Sequence, residues 1–447
     1  MLGIHAILLR HVSLEQLMST TTDKNTSPYI LMTGATGLLG SYLVRDLLMS
    51  GRRLALIVRR DRKKTPASRM ELLLRHWDET LGYTLPRPIV LEGDLSQPLC
   101  GLDNDARSWV TSNCDALLNN AASLSFRGSD PTAEPWLTNV TGTTNVLALA
   151  KETGLRQMHH VSTAYVCGLR TGRVLESDVD VGQEFGNDYE KSKVASEQLV
   201  RSAEHFDTAT IYRPSIIAGD SQTGYTSTYH GLFAALRLGH TLLTRVVKGS
   251  TSGPALLALI GVDPKAHKNF VPVDWVSSVI SHLIQTPSAH GKTFHVTHPA
   301  PCSMDLVGRF IQEAVERYSK DASPDDPDLC DEQWFADTML TQLDVYTSYF
   351  RHDPTFDQTN VTAFASHLPC PVLDMPRLLT MARFAIANDF GRLSVKIPAT
   401  APELTCNASL PQEVSDENQI MADANQMMAN ANQGACLNVP FAPADSI

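Results

Sequence analysis

Tyr189 and Lys193 stand four residues apart in Tyr189-Glu190-Lys191-Ser192-Lys193. On a helix that spacing puts both side chains on one face. A phenol titrates at about 10, too high to relay protons readily at neutral pH, and a neighbouring ammonium draws that value toward the working range. The pair is therefore expected to move a proton to or from a substrate oxygen. Upstream, Val161-Ser162-Thr163-Ala164-Tyr165-Val166 carries two adjacent hydroxyls. Strand alternation sends them to opposite faces, so one of Ser162 and Thr163 can share that oxygen with the tyrosine. Spacing alone leaves open which one does.

A second constellation suits a dinucleotide. Thr33-Gly34-Ala35-Thr36-Gly37-Leu38-Leu39-Gly40 follows a strand-like run and leads into a helical one. Gly34 permits a tight turn, Gly37 lets backbone approach a pyrophosphate, and Gly40 lets the helix pack close to the sheet. Thr36, Leu38 and Leu39 complete this loop, and the N–H groups of the helix start face the anion. About twenty residues on, NAD-specific sites place an acidic residue for the ribose hydroxyl; here stand Arg59 and Arg60. A guanidinium suits a 2′-phosphate and has no acceptor for a hydroxyl, so NADPH is expected over NADH, with Asp61 keeping NAD open. Asp94 and Leu95, in Gly93-Asp94-Leu95, are expected near the adenine edge. In Asn119-Asn120-Ala121-Ala122, residues Asn120, Ala121 and Ala122 supply the small surface on which a cofactor lies flat.

These residues need a scaffold, and the chain supplies a repeating one. Strand-like runs occur at Tyr29–Thr33, Leu54–Val58, Pro88–Glu92, Ala116–Asn119, His159–Ser162 and Ala209–Tyr212, with helical patterns such as Ser41–Ser50 and Val140–Lys151 between them. Such alternation predicts an α/β fold, a doubly wound parallel (Rossmann-like) sheet with ligands at the strands' carboxyl ends. Beyond about Ser221 the pattern loosens, with one more strand at Thr293–Thr297. The expected division is an N-terminal extension over 1–27 and a dinucleotide domain over 28–300, with interleaved substrate-binding segments from about 221. A smaller, mostly helical substrate-side region over 301–398 and a polar tail over 399–447 follow. Ser323–Asp328 reads as a surface loop, Glu332–Leu393 as a helical lid or wall, and Met421–Gln433 as part of the tail.

Bulk properties exclude several classes. Apolar and charged fractions of 43% and 19% allow a sizeable core. A net charge of −11 without a basic block argues against nucleic acid as partner. The eight cysteines are scattered, with no Cys-x-x-Cys pair, and read as reduced thiols of a cytoplasmic protein. The longest apolar run, Gly253–Val262, is too short for a bilayer span. Met1–Arg10 fits a secretory signal poorly, and Met18 is an alternative start. His159 and His160 point to opposite faces of a strand, so no metal is expected. Sequons such as Asn139-Val140-Thr141 carry no weight without a signal, and no Gly-x-Ser-x-Gly or His-Glu-x-x-His motif supports a hydrolase.

Together the glycine loop, Asn139-Val140-Thr141-Gly142-Thr143, Ser162-Thr163-Ala164-Tyr165-Val166, the tyrosine–lysine pair and Tyr212-Arg213-Pro214-Ser215-Ile216-Ile217-Ala218-Gly219-Asp220 resemble the extended short-chain dehydrogenase/reductases. Val271-Pro272-Val273-Asp274-Trp275-Val276 resembles the late segment that closes that family's substrate domain onto the sheet. Within the family, Ser162-Thr163-Ala164-Tyr165-Val166 and Gly219-Asp220 look like the branch of fatty acyl-CoA reductases and terminal thioester reductase domains. The resemblance covers roughly residues 29–299. It implies that Thr163 and Tyr189 hold the substrate oxygen, that Lys193 binds the nicotinamide ribose, and that Pro214, Ser215 and Ile216 contact the cofactor. It also implies an acyl thioester, as a CoA ester or on a separate carrier protein, reduced to aldehyde or alcohol; a homodimer is left open. A hydroxysteroid dehydrogenase, a sugar-nucleotide epimerase or dehydratase, and a non-catalytic dinucleotide sensor are the alternatives.

Overall fold

A computed structural model describes residues 27–241, 261–319 and 351–391, with residues 243, 252, 253, 255 and 257 between the first two spans. The expectations for the N-terminal extension, Ser323–Asp328 and the tail from 399 lie outside the described residues. So do those for residues 332–350 of the expected lid.

The described residues open with β1 (Tyr29–Thr33), α1 (Leu38–Met49), β2 (Arg53–Val58), α2 (Pro66–Leu81) and β3 (Ile89–Glu92). There follow α3 (Asn104–Asn113), β4 (Cys114–Asn119), α4 (Gly142–Thr153), β5 (Gln157–Val161), β6 (Arg173–Val174), α5 (Asp188–Arg201) and β7 (Thr208–Pro214). Next come β8 (Ile216–Ala218), α6 (Leu232–Thr241), β9 (His267–Lys268), β10 (Phe270–Pro272), α7 (Val273–Ile284), β11 (Thr293–Val296), β12 (Cys302–Ser303) and α8 (Met304–Tyr318). The last are β13 (Thr355–Phe356), α9 (Thr359–Ala365) and α10 (Met375–Ala387).

Seven strands form one sheet in the order β11-β7-β5-β4-β1-β2-β3, and every pairing in it is parallel. Alternation along β1 divides its side chains between two cores. Ile30 and Met32 join Tyr42, Leu43 and Leu47 of α1 and Val276 and Val279 of α7. Leu31 joins Val110 of α3 and Val146 and Leu149 of α4 on the opposite face. Strand order reverses between β1 and β4, which opens a crevice at the carboxyl end of the sheet.

A separate apolar cluster packs Leu232, Phe233 and Leu236 of α6 against Phe310 of α8 and Leu378 and Met381 of α10. The expected substrate-side region over 301–398 divides between these cores. α8 and α10 build the second one, whereas β13 pairs with β6 and α9 lies along β11. The stripe Val361, Phe364 and Ala365 explains the difference, because it buries against the main core.

Candidate active site

A cavity of about 690 Å³ runs along the carboxyl ends of the central strands. Its floor at β1 is a cradle built for close approach. Gly34 has φ +72, and a Cβ there would meet the Ala121 nitrogen at 2.6 Å. At Gly40 a Cβ would meet the Gly34 carbonyl oxygen at 2.0 Å, so the close packing is against the loop and not the sheet. At Gly37 only the Gly34 oxygen, at 3.5 Å, would lie near a Cβ, which leaves that face open to the cavity. No side chain caps α1, so its first turn of N–H groups suits a pyrophosphate. Thr33 Oγ1 accepts from the backbone nitrogens of Asn120 and Ala121 at 3.2 Å, and the Asn120 amide donates to the Gly34 carbonyl at 3.2 Å. Ala35, Thr36, Leu38, Leu39, Asn120, Ala121 and Ala122 all line the cleft. Their geometry fits a dinucleotide.

At the adenosine end the two arginines part company. Arg59 lines the cavity with Asp94 and Leu95. Arg60 does not: its Nε and Nη2 donate to Glu92 at 2.7 and 2.8 Å on the exposed surface. Successive residues leaving β2 diverge, and Glu92 at the end of adjacent β3 captures the second guanidinium. The expectation for Arg60 is corrected accordingly. Arg69 of α2 lines the cleft in its place and donates to Thr36 Oγ1 at 3.2 Å. The sequence does mark the start of α2, where Thr65 caps the helix and Pro66 occupies its first turn; its direction toward the glycine loop is a tertiary property.

The catalytic candidates meet at mid-cleft. Asn187 caps α5 by accepting from the Glu190 nitrogen at 2.9 Å, which fixes the helix start immediately before Tyr189. The Thr163 hydroxyl lies close enough to the Tyr189 phenol to favour its ionised form, and the Tyr189 ring meets Phe126 edge-on at 5.9 Å. Thr163, Tyr189, Lys193, Pro214, Ser215 and Ile216 line one stretch of wall. Ser162 turns away, donating to Glu197 Oε2 at 2.7 Å, so strand alternation leaves Thr163 in the cleft. Ser215 Oγ donates to Asn269 Oδ1 at 2.6 Å, tying β8 to the residue before β10.

Burial pushes the Tyr189 phenol up to about 12; the nearby Thr163 hydroxyl opposes the rise and Glu190 adds to it. Burial likewise pulls Lys193 down to about 8, against the favourable field of Glu197. The sequence predicts a phenol drawn downward by the ammonium, and that expectation is corrected. Desolvation dominates, and the ammonium, whose Nζ donates to the Val161 carbonyl at 2.9 Å, does not lower the phenol. Tyr189 therefore keeps its proton through the neutral range, as a donor requires.

Beyond this centre the cavity becomes apolar. Ala234, Leu238, Leu257, Phe270, Met304 and Val307 line it where α6, β10 and α8 converge. Lys268 also reaches the wall, its ammonium paired with Asp353 Oδ1; Asp353 Oδ2 accepts from Tyr165 Oη at 2.8 Å. Neither is legible in the sequence as a site residue, since Asp353 lies far along the chain and its position becomes clear only once the chain has folded.

Other side chains are structural. His159 contacts Tyr212 Oη at 2.9 Å, and His160 approaches Asn119 and Ser196 at 3.3 and 3.4 Å. Burial holds both imidazoles at about 3, hence neutral. Asn139 is buried and donates to Ser192 Oγ at 2.8 Å, closed to glycosylation. Cys100, Cys114, Cys167, Cys302 and Cys370 are free thiols. Among the described residues no helix is long and apolar enough to cross a membrane, and no acidic, His or Cys group could hold a metal.

Residues 32–280 match an NAD-binding family described as male sterility protein. A linear gramicidin synthase of Brevibacillus parabrevis is 29% identical over 286 residues, which is 62% of this chain and 5% of that protein. An aldehyde reductase of Aspergillus flavus is 25% identical over 402 residues, 81% of this chain and 36% of that protein. The chain thus spans well under two thirds of either relative. The fold is shared with the terminal R domain of the myxalamid PKS-NRPS pathway, at TM-score 0.64 and 24% identity, over 85% of this chain and 94% of that one.

Proposed function

The chain belongs to the NAD-binding male sterility family of extended short-chain dehydrogenase/reductases, and from that premise we propose that it lies in the thioester reductase branch and uses NADPH to reduce an acyl thioester to an aldehyde or alcohol. The observation that carries the substrate class is the apolar chamber opening directly beyond Thr163 and Tyr189, which suits an acyl chain. Arg59 and Arg69 at the adenosine end support the phosphorylated cofactor. A CoA ester or a carrier-bound thioester both fit this reading.

Bound NADPH would supply the hydride to the carbonyl carbon. Thr163 and Tyr189 hold the carbonyl oxygen as charge develops on it, and Tyr189 gives that oxygen its proton. The resulting hemithioacetal collapses by breaking its carbon–sulfur bond, releasing thiol and aldehyde. A second round takes the aldehyde to the alcohol. Lys193, protonated below about 8, holds the ribose and supports the charge at the centre.

The test is NADPH consumption with octanoyl-CoA, octanal and a 3-ketosteroid, with trapping of aldehyde, beside chromatography for sugar-nucleotide products formed from UDP-glucose. We expect turnover with the thioester and the aldehyde. Activity confined to the steroid or the sugar nucleotide would overturn the reading. Tyr189→Phe should retain NADPH affinity and lose on the order of 10²-fold in kcat; near-normal turnover in that variant would exclude the tyrosine mechanism.

A further inference from the structure

Behind the catalytic wall lies a fully buried carboxylate. Glu197 follows Tyr189 and Lys193 on α5 at the same four-residue interval, so the three side chains form one stripe. Its Oε2 accepts from Ser162 Oγ at 2.7 Å and from Arg213 Nε at 3.0 Å. Its Oε1 accepts from Arg213 Nη2 at 2.6 Å and Arg201 Nε at 2.9 Å. The acceptor capacity of a carboxylate is thereby filled.

Two of these partners, Ser162 and Arg213, lead back to the centre. Ser162 precedes Thr163. Arg213 precedes Pro214, whose carbonyl accepts from Thr163 Oγ1 at 3.4 Å. Lys193 lies one turn back on the same helix. Resting on the reductase reading above, we propose that Glu197 is a positioning residue. It acts from behind through Ser162 and Arg213 to set Thr163, and through its charge to keep Lys193 protonated.

The surrounding charges support this role. Arg213 comes from β7 and Arg201 from α5 itself, and both bind the carboxylate directly. His160 of β5 and His295 of β11 also face the cluster, and burial holds them at about 3 and about 4, so neither carries charge in the working range; Glu176, which accepts from the His295 nitrogen at 3.0 Å, is raised by burial to about 7 and is common to wild type and both variants. Arg213 has further partners in the Asp178 carbonyl at 2.7 Å and the Glu176 carbonyl at 3.4 Å, so its side chain stays anchored without the carboxylate. A buried ion pair adds little stability over apolar packing. Here its carboxylate, one helical turn from Lys193, favours an ammonium that burial disfavours.

Two variants separate positioning from charge, each with melting temperature, NADPH affinity against pH, and kcat against pH with octanoyl-CoA. Ser162→Ala keeps every charge; kcat should fall roughly tenfold or more while the pH profile stays in place. Glu197→Gln removes the charge and should move the basic limb of NADPH binding to lower pH. That binding measurement needs no substrate, so it tests the inference even if octanoyl-CoA proves inert and the reductase reading fails. A folded Glu197→Gln protein with its basic limb at the wild-type pH would overturn the inference, as would a Ser162→Ala protein with unchanged kcat. Should Glu197→Gln fail to fold, Ser162→Ala decides.

Discussion

The two glycines that end the phosphate loop should fail in different ways when given a methyl group. At Gly40 the added Cβ would stand 2.0 Å from the Gly34 oxygen and 2.9 Å from the Asn120 amide nitrogen. The first contact is with backbone, so either the carbonyl or the start of α1 must retreat by about 1 Å, and overpacking of that kind costs about 1–3 kcal/mol. In a chain of this size such a loss lowers Tm by about 1–3 °C. Because the Gly34 carbonyl also receives the Asn120 amide, the displacement spreads to the floor on which the cofactor rests. At Gly37 the added methyl has only the Gly34 oxygen near it, at an ordinary 3.5 Å. Gly37→Ala should therefore melt with wild type yet bind NADPH at least tenfold more weakly, because the methyl occupies the face open to the pyrophosphate. Thermal melts and titration calorimetry with NADPH give both quantities. A Gly40→Ala protein with unchanged Tm, or a Gly37→Ala protein with unchanged affinity, would refute the assignment of this loop.

Two further outcomes follow from the adenosine end and from Lys193. Arg59→Asp and Arg69→Ala should each weaken NADPH more than NADH, while Arg60→Ala should leave the ratio unchanged because that side chain is engaged with Glu92; competition titrations with both cofactors measure this. Turnover should decline as pH rises through about 8, where Lys193 loses its proton, and not near 12, where Tyr189 does. A lowered lysine pKa means the charged form is lost earlier than in water, so the sign is loss of activity toward alkali. A pH–rate profile flat to pH 9 or beyond would contradict it.

All seven strands of the main sheet are legible in the sequence, β1 to the residue, because each is a strand-length run set between helical patterns. The paired segments β8 with β10, β9 with β12 and β6 with β13 are not, since two or three residues carry no period. Thr163, Tyr189 and Lys193 come together as their spacing and resemblance imply. What the sequence hides depends on contacts between distant residues. Arg69 faces the cleft only because α2 returns toward the glycine loop, and Glu92 claims Arg60 only because β3 lies beside β2. The direction of the Tyr189 shift escapes the sequence for the same kind of reason. Four-residue spacing reveals a neighbour, whereas desolvation is set by everything that covers the phenol.

The placement of α9 has a consequence for how the protein can be cut. β11 is the outer strand of the sheet, and such a rim offers unpaired backbone to any passing strand, the usual route to aggregation. Asn360 covers it, its amide donating to the Thr293 carbonyl at 2.8 Å and its backbone nitrogen to Glu176 at 2.9 Å. Residues from 351 onward therefore shield a strand laid down more than fifty positions earlier. A fragment ending at residue 319 would retain the glycine loop and the catalytic residues yet expose that rim. A shortened version made for expression should extend at least through the end of α10.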